Sequence, residues 1–535
     1  MKISRALIFI LLSINLFKCT YLPPSHSVID RSPAIRIGIA EKLESLTFET
    51  DAAINIFDQH DQMIGNQIQG SNWKVTLIDA QPVDLLYRLL HQQVDREDAA
   101  QQIVANLDAR GISATIKQVN AKRFQSMKSN SDQNYQVFLT PVFQSESDAW
   151  NYNRSLEGKI STTPLPFFNA RPKGRIILEN INTGQRFDSE GLIRIQGSGF
   201  RFNVQTGEGY HFEKQELRIY KESLEFWIDR FGKLTVVNQI PLEEYLKGVV
   251  GSEMSPDFPL EALKAQAVTA RSYTLSRLDK QHRLEPFDVC DEVHCHVYGG
   301  VDREKPGVNR VVSETNGQVL MYGDSVCETY YASVCGGHSE NNENVWVGAP
   351  QLYLRGNLDS ELADKFPENY LKDELQVRRW IETSPDVFCN TTKTDVPEAL
   401  NYTKRYFRWT TRYTQNELSN IILTKTGENI GSLLEIIPVE RGVSGRLKKI
   451  KLRGRQKTAT VEGELTIRKA LSSNYLFSSC FVVDRQNNDF IIKGAGWGHG
   501  VGMCQTGAAM MALKGFNYRT ILDHYYAGAK LVKLY

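Results

Sequence analysis

Beyond its first seventeen residues the chain has no apolar run of membrane-spanning length, no polybasic tail and no block of like charge. A bilayer core takes about 20 consecutive apolar residues to cross as helix, so the body of the chain is expected in water. Lys and Arg number 63 against 62 Asp and Glu, a formal net charge of +1. Nucleic acid is therefore not expected as a partner, and no charge block argues for disorder. No low-complexity linker interrupts the second half. Cysteine is missing between Cys19 and Cys290, and the remaining seven, Cys290, Cys295, Cys327, Cys335, Cys389, Cys480 and Cys504, all fall later. An odd number leaves at least one thiol free or bound to something else. What is present is ordinary for a globular protein, with 41% hydrophobic and 23% charged residues.

The opening "MKISRALIFILLSINLFKCTYLPPS" carries Lys2 and Arg5 and then an apolar run from Ala6 to Phe17. That is a charged region followed by a hydrophobic one too short to span comfortably, which predicts export with residues 1–19 as signal or lipoprotein signal. Cys19 would be the lipidation site, although Lys18 before it fits a lipobox poorly. The outer face of the cytoplasmic membrane is a partner only if Cys19 is lipidated. The expected location is periplasmic or cell-envelope, where disulfides are allowed.

Residues 33–78 alternate polar and apolar, as in "IRIGIA" and "LTFETDAAINIFD", and read as strands. Residues 82–160 contain a weak repeat, one unit running from Tyr87 through Asp98 and Ala99 to Leu107. The other runs from Tyr135 through Asp148 and Ala149 to Leu156. Each unit reads as strand, polar turn and helix. The pair resembles the SPOR module, which implies a small ferredoxin-like fold that binds glycan strands stripped of peptide. An ordinary α+β insertion reads equally well. From Gly174 to Asn238 strand signals dominate, and residues 173–535 offer no sharp boundary. The fold class expected is α+β, a β-rich region with helices around a cleft plus the small N-terminal module.

One acidic residue stands in an awkward place. In "IPLEEYLKGVVGSEMSPDFPLEALKAQAVTARSYTLSRL", Leu242, Leu246, Val249 and Val250 share a helix face, and Pro256 stops that helix by Met254. Pro259 begins a second helix with a stripe of Leu260, Leu263, Ala267, Leu275 and Leu278. Glu253 therefore meets the negative end of a helix dipole among apolar neighbours. Both effects raise a carboxyl pKa, which suits a general acid. A solvated surface glutamate is the competing reading. Asp257 is expected to help cap the second helix.

That stretch resembles the signature of the SpoIID/LytB family, the stage II sporulation protein D and amidase-enhancer proteins. "CDEVHCHVYGG", "YYASVCGGHSENNENVW", "RGVSGRLKKI", "LTIRKALSSNYLF" and "GAGWGHGVGMCQTGAAMMALKGFNYRTILDHYYAGAKLVKLY" follow in the family's order, from about Arg175 to Tyr535. The resemblance implies a lytic transglycosylase acting on peptidoglycan glycan strands, preferably stripped of stem peptides, with Glu253 as acid and then base. One carboxylate suffices when the sugar supplies its own nucleophile, where ordinary glycoside hydrolysis needs two. It implies substrate contacts from Lys264 and Arg271, and from Tyr331, Ser333 and His338 on a facing wall. A glycine ribbon at 494, 496, 498, 500 and 502 has a bare face that would let ligand approach or serve a tight strand crossing, and there Trp497 is expected to stack on a sugar while His499 and Gln505 hydrogen-bond it. It leaves a rival class open, a non-catalytic enhancer that binds wall or an amidase, and a third, a plain wall-binding protein.

"HRLEPFDVCDEVHCHVY" offers His282, Cys290, His294 and Cys295, a donor set that suits tetrahedral zinc, with His296 as a competing ligand. Some family members bind zinc in this loop. A Cys290–Cys295 disulfide is the alternative. Any metal would be structural, since the chemistry above requires no cofactor. Cys504 stands where relatives commonly have serine, and a disulfide with Cys335 is conceivable if both line one cleft.

Overall fold

The computed structural model describes residues 32–120, 133–156, 158–207, 213–278, 280–361, 367 and 369–535. The expected signal and Cys19 lie outside them. Among the described residues no helix is long and apolar enough to cross a membrane.

The chain is α+β and β-rich. An eleven-stranded sheet is centred on two long antiparallel strands, Leu192–Thr206 and Lys214–Ile228. Alternating side chains from the first put Ile193, Ile195, Phe200, Phe202 and Val204 into the core, as period-two patterning requires. Phe226 stacks on Phe48 at 5.8 Å, and Phe200 meets Phe48 edge-on at 6.1 Å. The N-terminal strand Ala34–Leu43 lies between Leu234–Pro241, antiparallel, and Val289–Cys290, parallel. The start of the chain thereby anchors the cysteine loop to the sheet.

Between Asn72–Gln81 and Lys173–Asn180, which pair antiparallel in the main sheet, the chain makes a separate four-stranded sheet. Its order along the chain is strand Leu85–Val94, helix Glu97–Asp108, strands Ala114–Asn120 and Gln133–Phe143, helix Glu146–Ser155 and strand Thr163–Phe168. The third strand pairs with the first and second, and the fourth with the first, all antiparallel. Leu89, Ala100, Leu107, Val137, Leu139, Ala149 and Leu156 form its own core. Both repeat units thus end as strand–turn–helix, and Ser145 caps the second helix through the Asp148 N–H.

Strand Leu234–Pro241 runs straight into helix Leu242–Glu253. Pro241 offers that helix no side-chain cap; instead Leu242 N–H donates to Pro33 O at 2.8 Å and Glu243 N–H to Ser32 Oγ at 3.2 Å. The N-terminal segment thus satisfies donors that a helix start leaves orphaned. The second helix, Leu260–Arg277, follows Pro259 and has no side-chain cap, so Asp257 does not cap it. It is not an amphipathic surface helix either: it is buried from Ala262 to Ser276 apart from Lys264. Small side chains allow this, and the Ser272 and Thr274 hydroxyls bond carbonyls one turn back at 2.7 and 2.8 Å. The C-terminal strand Lys530–Lys533 pairs with Gln318–Tyr322 and closes the chain against this helical centre.

Two three-stranded sheets follow, Arg408–Thr414 with Phe481–Gln486 and Asp489–Ala495, and Leu433–Arg441 with Leu447–Gly454 and Thr458–Glu462. They share a second core that includes Trp409, Leu418, Leu433, Leu452, Phe481 and Ile492.

Candidate functional site

Glu253 is the last residue of its helix, and Met254 leaves in extended conformation. The chain does so because Pro256 disfavours the helical region at Ser255, and because the Met254 N–H still closes the last turn on Val250 O. The half-buried Glu253 bonds both Val297 and Tyr331. Its Oε1 accepts the Val297 backbone N–H at 2.9 Å, and the Tyr331 hydroxyl hydrogen-bonds the same carboxyl. Burial pushes its pKa up to about 7, and the two hydrogen bonds lower it only in part. Desolvation wins because, among the described residues, no cation offsets it. Among the described residues no second carboxylate perturbs it.

Tyr331 opens the facing wall. Its strand, Tyr331–Ala332, pairs parallel with Met503–Cys504, which brings the glycine ribbon alongside. Behind Tyr331, His296 stacks at 5.9 Å and 14°. Its Nδ1 meets the Tyr245 hydroxyl at 3.3 Å, and burial pushes its pKa down to about 3. A neutral buried ring thus braces the tyrosine. Gln505 Nε2 donates to the Glu253 carbonyl at 3.2 Å and to Gln266 Oε1 at 3.4 Å. It holds the backbone of the glutamate rather than facing open space.

The bare face of the ribbon is filled by the protein itself. A Cβ on Gly496, at φ 83°, would sit 2.7 Å from Val334 O. One on Gly500 would fall 2.3 Å from Arg446 Cζ. The strand-crossing reading of the glycines therefore holds over ligand approach to the backbone. Arg446 is buried there, reaching Cys335 O at 3.2 Å and Gly498 O at 3.3 Å. Glu340 is locked beside it by the Val443 and Ser444 N–H groups, each at 3.1 Å.

Several expected contacts lie elsewhere. Arg271 is wholly buried, with two 2.7 Å bonds to Glu243 and a third to Gln318 O at 3.1 Å. It is enclosed within the helical centre. Lys264 is held by Glu261 at 2.8 Å and Glu314 at 2.9 Å. His499 accepts the Val501 N–H on Nδ1 at 3.0 Å and bonds the Tyr331 backbone, its pKa pushed down to about 3 by burial. Both ring nitrogens are therefore spent on the chain. Trp497 bonds Val334 through its backbone and stacks on Tyr406 at 4.1 Å. Ser333 presents its carbonyl to Thr506 and hydrogen-bonds Tyr402 through its side chain. The partly exposed His338 bonds Ser339 O through Nδ1 at 2.7 Å.

Sequence reasoning missed three parts of this site. The Val297 N–H has no side-chain signature. His296 was weighed only as a metal ligand. Trp346 is 38% exposed, stacks on Tyr330 at 4.2 Å and touches His499 at 4.9 Å. It is an exposed aromatic next to the Tyr331 wall, and its place in the quoted "NNENVW" was the available clue.

In the cysteine loop, His282, Cys290, His294 and Cys295 bring one donor atom each to within 4.8 Å of one another. His282 Nε2 lies 3.3 Å from Cys295 Sγ, and His294 Nδ1 lies 3.7 Å from Cys290 Sγ. Cys290 and Cys295 are not joined by a disulfide, nor are Cys335 and Cys504, whose contact is a 3.2 Å bond from the Cys335 N–H to Cys504 Sγ. His296 stands outside the donor group. Two imidazoles and two thiols within this span match a four-coordinate zinc set.

A family model described as stage II sporulation protein matches residues 230–322, and one described as a domain of unknown function, DUF8618, matches residues 340–502. An uncharacterized protein of Brachyspira hyodysenteriae is 31% identical over 59% of this chain and 78% of its own length. The stage II sporulation protein D of Bacillus amyloliquefaciens is 28% identical over 55% of this chain and 75% of its own. The amidase enhancer of Bacillus subtilis is 25% identical over 54% of this chain, which spans 40% of that relative.

Proposed function

The chain belongs to the SpoIID/LytB family, and from that premise we propose that it is an exported lytic transglycosylase of peptidoglycan. The observation that carries the reading is Glu253, a carboxyl held near neutrality by burial and aimed by Val297 and Tyr331. Protonated, it donates to the oxygen that links the muramyl C1 to the next glucosamine, and that C–O bond breaks. The muramyl C6 hydroxyl closes onto C1 and gives its proton back to Glu253. No water is consumed and the carboxyl is regenerated. That no second carboxylate among the described residues perturbs Glu253 suits this route, because hydrolysis would call for a partner to activate water.

Tyr331 and the Val297 N–H orient the carboxyl and keep its ionised form tolerable between the two transfers. Trp346 is the sugar-stacking platform, since an aromatic face with its polar rim in water is what pyranose rings meet well. Residues 82–160, read as a SPOR-like module, would hold naked glycan. The cysteine loop would hold a structural zinc through His282, Cys290, His294 and Cys295. When bound, that ion supplies a crosslink, and the protein's own gain is a fixed Val297 two residues past Cys295.

The name of the Bacillus subtilis relative, amidase enhancer, favours a second reading, a non-catalytic enhancer of an amidase. Digestion of purified peptide-free glycan separates the two. Products ending in anhydromuramate support the lyase; intact strands together with faster turnover by an added amidase support the enhancer.

A further inference from the structure

Away from Glu253 the fold assembles a second group of metal-type donors. Cys335, Asp359, Cys389 and Cys504 are all buried, and one ligand atom of each lies within 4.8 Å of the others. They come from four separate stretches of chain. Cys335 follows the Tyr331 strand, Cys504 ends the glycine ribbon, and Asp359 and Cys389 belong to the segment between them.

The geometry points to a closed site for a thiophilic divalent cation of the zinc class, which we propose as a structural crosslink of the cleft wall. Four protein donors complete a tetrahedron and leave no open position, which is the pattern of structural zinc. Three sulfurs select a soft or borderline ion over magnesium or calcium. Ligands about 2.3 Å from one centre stand about 3.8 Å apart at the tetrahedral angle. Cys335 Sγ lies 3.4 Å from Cys389 Sγ and 3.3 Å from Asp359 Oδ2, so modest outward shifts would admit the ion.

The surroundings are built for anionic ligands. Cys504 Sγ accepts N–H bonds from Cys335 at 3.2 Å and Gly507 at 3.3 Å, and Cys335 Sγ accepts one from Gly337 at 3.4 Å. The other oxygen of Asp359, Oδ1, is fixed by the Tyr525 hydroxyl at 2.7 Å, with His524 Nε2 at 3.6 Å. Such outer partners orient ligands and tune the ion. Three thiolates and a carboxylate around a dication leave a net charge of two minus. Arg446 and Arg408 bond the adjacent Cys335 and Gly336 carbonyls at 3.2 and 3.0 Å and offset it. This site is independent of the cysteine loop and of the proposed reaction.

The test uses the full chain purified without chelator. In a Cys290→Ser/Cys295→Ser variant, which empties the cysteine loop, metal analysis should still find about one zinc per chain. Adding Cys389→Ser should reduce it at least tenfold. If these variants do not fold, alkylation of the native wild type decides. Cys335, Cys389 and Cys504 should resist until a chelator is added, and the cobalt(II) form should show thiolate-to-cobalt charge transfer after the loop cysteines are blocked. Absence of metal from the loop variant or equal reactivity of these thiols with and without chelator overturns the proposal. So does a Cys335–Cys389 disulfide-linked peptide with a mass two hydrogens lower.

Discussion

The Val297 backbone N–H donates to Glu253 Oε1 at 2.9 Å, joining the end of a helix to the loop that carries His294 and Cys295. One amide thus links the carboxyl's orientation to the order of the cysteine loop. It also lowers a pKa that burial otherwise raises.

The pH profile follows from that balance. An acid catalyst works only while protonated, so kcat/KM for glycan cleavage should fall as pH rises through about 7. A profile flat to about pH 9 would exclude Glu253 as the acid.

Stability should respond to the same carboxyl. The folded pKa lies above the unfolded one, so the folded state binds more protons between the ordinary carboxylate range and 7, and stability declines as pH rises across that window. Glu253→Gln removes the penalty. Its gain over wild type should be on the order of 1–3 kcal/mol at about pH 8 and close to nil at about pH 4, by urea unfolding.

Tyr331→Phe deletes a hydrogen bond that favours the carboxylate. The alkaline limb should move to higher pH and kcat should drop about 10- to 100-fold. Loss of rate with an unmoved limb would make Tyr331 a wall residue only.

Trp346→Ala should raise KM for glycan strands about tenfold and leave kcat near wild type, because it removes a stacking surface and touches no reacting atom. Equal loss in kcat would contradict that role.

Arg271→Met leaves the buried Glu243 without its cation, bonded still to the Tyr535 hydroxyl, and breaking a buried ion pair costs about 3–5 kcal/mol. The variant should lose that much in urea unfolding, while KM of the folded fraction stays unchanged.

The helix ends around Glu253 were legible because prolines punctuate them: Pro256 forces the stop, and Pro241 and Pro259 mark two starts within a residue. The raised pKa could be argued from Val249, Val250 and Met254 for the same reason. The substrate contact of Arg271 was implied by the family resemblance, and its ion pair with the buried Glu243 had no signal in the sequence, because only the fold sets the two side by side. The ribbon glycines announced a close approach but not what approaches, which is Val334 O and the Arg446 guanidinium. The Cys335, Asp359, Cys389 and Cys504 group was illegible because its donors are scattered over 170 positions. No local spacing links them.

The most direct test of the account compares wild type with Glu253→Gln on purified peptide-free glycan strands, weighing the ends released. Wild type should produce anhydromuramyl ends, and the amide variant, still folded, should produce them at least about a thousandfold more slowly. Cleavage at an undiminished rate by the variant, or strands left intact by the wild type, would contradict it.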